Sequence, residues 1–139
     1  MNPPSIDIKD LLNGDTSLGL TFQTDLHVSY LPDDDDTPNL CVAVFDTPGE
    51  SPEHGVDADS PAENPGVMVM VRGNIREYSE AYMLANDIKN FLKGESNHNF
   101  TLNGTKYVGI WSEGNPIPIG YDDEGRPLFT INFRIKRSG

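Results

Sequence analysis

The chain has a single cysteine, Cys41, so no intrachain disulfide can form. It lies inside the apolar run Leu40-Cys41-Val42-Ala43-Val44-Phe45 and reads as a small buried hydrophobe. No apolar stretch approaches the ~18 residues that mark a membrane-spanning helix. The opening Met1-Asn2-Pro3-Pro4-Ser5 has no basic segment followed by an apolar one, so no secretory signal is expected. Without one, the Asn-x-Thr sequons at Asn99 and Asn103 carry no weight. Bases are scarce: ten Lys and Arg stand against 22 Asp and Glu, for a net charge of −12. Residues 1–66 hold only Lys9 against fourteen acids, whereas residues 67–139 hold nine bases and eight acids. Such a balance opposes direct binding to a phosphate backbone, which needs clustered Lys and Arg. It favours solubility before assembly. At 139 residues one domain over 1–139 is expected. A chain of that size buries roughly 65–70% of its unfolded surface, enough for a core without disulfide or metal.

What is present is a succession of amphipathic segments. Ser5 is placed to cap a short helix with Asp7 in its first turn, apolar positions at Ile8, Leu11 and Leu12, and a stop at Gly14. Leu26, Val28 and Tyr30 alternate with His27 and Ser29, the pattern of a strand buried on one face. Prolines 32 and 38 bracket the run Asp33–Asp36, whose like charges favour a solvated loop. Residues 40–46 and 67–71 are apolar at nearly every position, as strands covered on both faces are. Between them, residues 47–66 carry seven Pro and Gly and five acids, and read as one long loop. Asn74 and Glu77 have capping-box spacing. Tyr78, Ala81, Tyr82, Ala85, Ile88 and Leu92 form one helical stripe, with Glu80, Asp87, Lys89 and Asn90 opposite. Asn103-Gly104 marks a hairpin between 100–102 and 105–111. Pro116, Pro118 and Gly120 break the pattern, Asp122–Gly125 turns, and Phe129, Ile131, Phe133 and Ile135 then alternate with Thr130, Asn132, Arg134 and Lys136. The order of elements predicts an α+β fold: a mixed, mostly antiparallel sheet packed against two helices, with long acidic loops.

Chemistry is hard to find. His27, His54 and His98 have no metal-ligand spacing, Cys41 has no cationic neighbour to activate it, and no glycine-rich loop with a lysine cradles phosphate. Read as a calcium loop from Asp33, the sixth and twelfth positions are Pro38 and Val44, where glycine and glutamate are required. The acids lie mostly in loops, so a converging carboxylate pair cannot be read from the chain. No catalytic residue, cofactor or metal is assigned. By strand parity Trp111 shares a face with Tyr107 and Gly109. Either both faces are packed within the chain, or Tyr107 and Trp111 anchor an interface.

Several blocks together resemble the tail terminator, or tail completion, family of tailed bacteriophages, whose members also go by the name of minor capsid proteins. They are Ile6–Leu12, Cys41–Pro52, Val69–Asn74 with the helix that follows, Asn103–Trp111 and Gly120–Arg134. The resemblance implies a structural virion protein without catalysis. It would form a homo-oligomeric ring, typically a hexamer, that caps the major tail tube protein and joins the head connector or stopper. Genomic DNA would pass the lumen without specific binding, no membrane would be involved, and the place would be the tail or neck of a virion assembled in the host cytoplasm. A ring needs a head-to-tail interface that closes. The acidic half and the base-containing half of the chain have the complementarity for one. The candidate interface residues are Asp57, Asp59, Glu63, Tyr107, Trp111, Arg126 and Arg134. A head-completion or other neck protein is the alternative within the class, and a monomeric acidic module binding calcium at Asp33–Asp36 is the distant one.

Overall fold

The computed structural model describes residues 1–50 and 62–138. Helix α1 spans Pro4–Gly14, followed by strands β1 (Leu26–Val28), β2 (Cys41–Glu50) and β3 (Asn64–Arg72). Helix α2 (Tyr78–Leu92) and a 3-10 turn (Glu95–Asn97) lead into β4 (Phe100–Leu102), β5 (Thr105–Ser112), β6 (Ile117–Tyr121) and β7 (Pro127–Ser138). The strands form one sheet in the order β1-β2-β3-β7-β5-β4, with β6 also on β7. Among the described strand pairs only β1–β2 is parallel. This is the expected α+β fold, with two helices and a mostly antiparallel sheet.

The twelve-residue β7 organises the sheet. One of its edges runs along β3, and the other pairs first with β6 and then with β5. Its alternation is borne out: Phe129, Ile131, Phe133 and Ile135 are all buried, opposite Val71, Val69 and Val67 of β3. Ile8 and Leu12 of α1, and Ala81, Ala85, Ile88 and Leu92 of α2, complete the same core. Each fully buried Ile, Leu, Val or Phe contributes about 1.5–3 kcal/mol relative to exposure. The Asn103-Gly104 hairpin also forms, both residues taking positive φ (52° and 78°) as a type I′ turn requires.

Other expectations are corrected. Ser5 does not cap α1. The helix starts on the proline pair, whose fixed φ suits the first turn. Ser5 is the second residue of the helix, donating its N–H and hydroxyl to Asp46 at 2.8 and 2.7 Å. β1 ends at Val28 because Ser29 takes φ 70°, so the alternation fails: His27 is buried and Tyr30 exposed. The long loop is shorter than its composition suggests, since residues 47–50 and 64–66 pair as strands with a bulge between Thr47 and Glu50. Asn74 and Glu77 form no capping box. Asn74 instead donates to Glu80 at 2.7 Å, and α2 starts later, at Tyr78. Tyr78 and Tyr82 remain partly exposed, whereas Lys89 turns inward to Asn115 Oδ1 at 3.0 Å. The segment broken by Pro116, Pro118 and Gly120 is nonetheless a strand, β6, every residue of which is exposed.

Candidate functional site

Five of the seven candidate interface residues fall into three places, and Asp57 and Asp59 lie outside the described residues. Glu63 and Tyr107 come together at the end of the core. Arg137 continues the buried parity of β7 by one step beyond Ile135 and is 5% exposed. Its Nη1 donates to the Asn2 carbonyl at 2.8 Å and to the Tyr107 hydroxyl at 3.3 Å, and lies 3.8 Å from Asp7. Its Nε pairs with Glu63 at 3.2 Å, beside a backbone bridge between the same two residues. The fully buried Asp7 accepts from the Tyr107 hydroxyl and from the side-chain amides of Asn2 and Asn103, the latter at 2.8 Å. Burial, reinforced by the bond to the Asp7 carboxylate, pushes the Tyr107 hydroxyl far above its ordinary value, so it remains a donor. Tyr107 is therefore an internal strut and not an exposed anchor. Every charge in this cluster has a partner, as buried charges require.

Tyr107 and Trp111 part company because β5 carries a bulge. Tyr107 faces Arg137 and Gly109 faces Lys136, so Val108 is the extra residue. One inserted residue reverses the parity beyond it. Tyr107 and Ile110 point to the core, and Trp111 emerges on the opposite face, 38% exposed. A Cβ at Gly109 would meet the Trp111 ring at 2.7 Å, so the indole lies back over that glycine, with His98 edge-on at 5.5 Å. The cross-strand partner of Trp111 is Arg134, itself exposed and 3.5 Å from Glu50. These two candidates do form one surface.

Arg126 belongs to a third place, the turn before β7. Its buried guanidinium meets Asp122 at 2.7 Å, Asp33 at 3.0 Å and Glu124 at 3.4 Å, and Asn39 at 3.2 Å. Arg72 binds the same loop from below, donating to the carbonyls of Pro32, Pro38 and Asn39 at 2.8, 3.1 and 3.0 Å. Asp34 folds back on the Asp36 N–H and the Thr37 hydroxyl. The acidic run thus serves as a loop pinned by two arginines, and among the described residues no group of three His, Cys, Asp or Glu is placed to hold a metal ion.

Burial alone would raise the Asp122 carboxyl, but the Arg126 N–H and guanidinium and the Glu124 N–H offset this and hold it below its ordinary value of 3.8. A carboxyl lowered in the folded state contributes stability that is present above the unfolded value and lost as pH falls through the folded one. Asp122→Asn is accordingly expected to destabilise the protein at pH 6. The difference from the parent chain should shrink as pH falls below 3.8. Urea midpoints measured between pH 3 and 7 check this, and a difference independent of pH would contradict it.

The geometry is that of a small α+β protein. Its buried arginines hold loops and the chain start. A sequence profile described as "Bacteriophage tail terminator protein" matches residues 14–138. The chain belongs to that family, and is a structural, tail-associated phage protein. Its fold is similar to that of a chain in the structure "Virion of native gene transfer agent (GTA) particle", with a TM-score of 0.70 at 14% identity, over 99% of this chain and 96% of that one. No curated protein sequence matches.

Proposed function

We propose that this protein, acting as a single domain, is a tail terminator. Copies of it form a ring on the finished tail tube, stop its polymerisation and present a surface to the head connector. The observation that carries the reading is the family match across residues 14–138. The resemblance to a chain within a gene transfer agent particle supports a place in the virion. The electrostatics fit a passage for DNA. Four of the ten bases, Arg72, Lys89, Arg126 and Arg137, are buried and bonded internally, which leaves six to meet a partner on a chain of net charge −12. A surface of that sign repels the duplex and does not retain it. Asp57 and Asp59 are proposed to share in that role. Glu63 is already engaged by Arg137.

Cryo-electron microscopy of purified particles tests the proposal. A single closed ring of this chain between tube and neck is expected. Density on the portal side of the connector would favour a head-completion role, and absence from the particle would reject both.

A further inference from the structure

The chain holds two Asn-Gly pairs, Asn13-Gly14 and Asn103-Gly104. In such a pair the glycine has no side chain to shield its amide nitrogen from the asparagine Cγ. The two pairs are held differently. Asn13 lies in the last turn of α1, and its Oδ1 accepts the Phe22 N–H at 2.9 Å. Asn103 lies exposed at the tip of the β4–β5 hairpin and reaches across to the same helix. Its Nδ2 donates to Asp7 Oδ1 at 2.8 Å and to Asp10 Oδ2 at 2.9 Å, so both amide hydrogens are held by carboxylates of α1. Such charge-assisted bonds are about twice as strong as neutral ones.

We propose that Asn103 is a site of spontaneous deamidation, held in check by its clasp on α1 and converted one way once the clasp opens. The Gly104 amide nitrogen gives its proton to solvent and bonds to Asn103 Cγ. The Cγ–Nδ2 bond breaks, and the side-chain nitrogen leaves as ammonia. Water then opens the cyclic imide at either carbonyl, leaving an aspartate in the normal or the β-linked backbone. The ring closes only if the Asn103 side chain swings onto its own backbone, away from Asp7 and Asp10. Asn103 and Gly104 also take positive φ, 52° and 78°, a conformation that the hairpin fixes. The folded chain therefore reacts through the fraction of molecules in which the clasp is open, and the two carboxylates set that fraction.

The product cannot re-form the clasp. An ionised carboxylate at position 103 accepts hydrogen bonds and donates none. It stands where the amide stood, within reach of the fully buried Asp7 and of Asp10. Three like charges so placed oppose one another's ionisation, and the contact that joined hairpin to helix becomes a repulsion. The β-linked product adds a backbone atom as well, which the two-residue turn cannot hold. A copy whose clasp has stood open is thereby marked in its covalent structure. This chemistry lies beyond the terminator role and does not depend on it.

Peptide mass mapping of the full chain, aged at neutral pH with and without guanidinium chloride, tests the proposal. Conversion at Asn103 should be much slower in the folded chain than in the unfolded one. Asp10→Ala removes one of the two acceptors at a half-buried position. Loss of one hydrogen bond to a charged group should open the clasp about tenfold more often, so Asn103 should convert about tenfold faster in the folded variant. Asn13, on the same helix, should keep the parent rate. Asn103→Asp, which has the sequence of the product, should melt below the parent at neutral pH. The difference should narrow below about pH 4, where the added carboxyl is protonated. Asn103→Gly loses the donors without adding a charge and keeps the turn, so it should lose less at neutral pH. Equal conversion rates in the folded and unfolded parent would overturn the proposal. So would an Asp10→Ala chain that converts Asn103 at the parent rate, or one in which Asn13 accelerates equally, since that marks fraying of the whole helix. An Asn103→Asp chain as stable as Asn103→Gly would overturn the one-way step.

Discussion

Replacing Arg137 with leucine is expected to lower the unfolding free energy by about 3–5 kcal/mol, the usual cost of removing one partner from a buried ion pair. The cost arises on the other side of the pair. Asp7 is fully buried at the first turn of α1, and its carboxylate accepts from Tyr107, Asn2 and Asn103. Those donors are neutral, and the guanidinium 3.8 Å away supplies the positive charge. Leucine also orphans the Asn2 carbonyl and the Glu63 carboxylate, which loosens the chain start and the base of β3 together. For a domain of this size the loss corresponds to roughly 10–15 °C in Tm. Urea unfolding should show a shifted midpoint at constant slope. The double variant Asp7→Asn with Arg137→Leu is expected to lose less than the two single losses combined, since a neutral amide no longer needs the cation. A loss under about 1 kcal/mol, typical of exposed pairs, would show that water reaches Asp7.

Neither Asp7 nor Arg137 was identifiable as half of this pair from sequence, and the reason is general. Periodicity reports which face a residue takes, so the core of β7 and the inner stripe of α2 were legible from Phe129–Ile135 and Ala81–Leu92. Arg137 could have been placed on the buried face by the same parity. Its partner lies at the other end of the sequence, and nothing local encodes that pairing. The bulge at Val108 defeats periodicity differently, because one inserted residue moves Trp111 to the far face without changing composition. β6 was missed because prolines at 116 and 118 argue against a central strand, yet are tolerated at an edge. The strand so hidden is exposed at every residue. Of the candidate interface residues, Trp111 and Arg134 do share a surface, whereas Tyr107 and Arg126 were consumed by internal networks. Aromatic or cationic type alone does not separate an anchor from a strut; the partner across the fold does.

Phe129→Ala is expected to destabilise the chain by about 3–5 kcal/mol, the range for emptying a buried aromatic site. The ring is fully buried between Val71 of β3 and Pro118 of β6, beneath Tyr78 and Tyr82. Its two tilted aromatic contacts add about 0.5–1.5 kcal/mol each beyond the area lost. Ile131→Ala supplies the control. Ile131 is equally buried, two residues along the same strand and opposite Val69, and its removal should cost about 2–5 kcal/mol. Phe129→Ala should therefore lose more than Ile131→Ala in thermal and urea unfolding, because only Phe129 carries the rings of Tyr78 and Tyr82. Tyr78→Leu and Tyr82→Leu in the Phe129→Ala background should cost less than in the parent chain, since the ring they rest on is already gone. Equal losses for Phe129→Ala and Ile131→Ala would mean that the tilted ring contacts add nothing beyond the buried area.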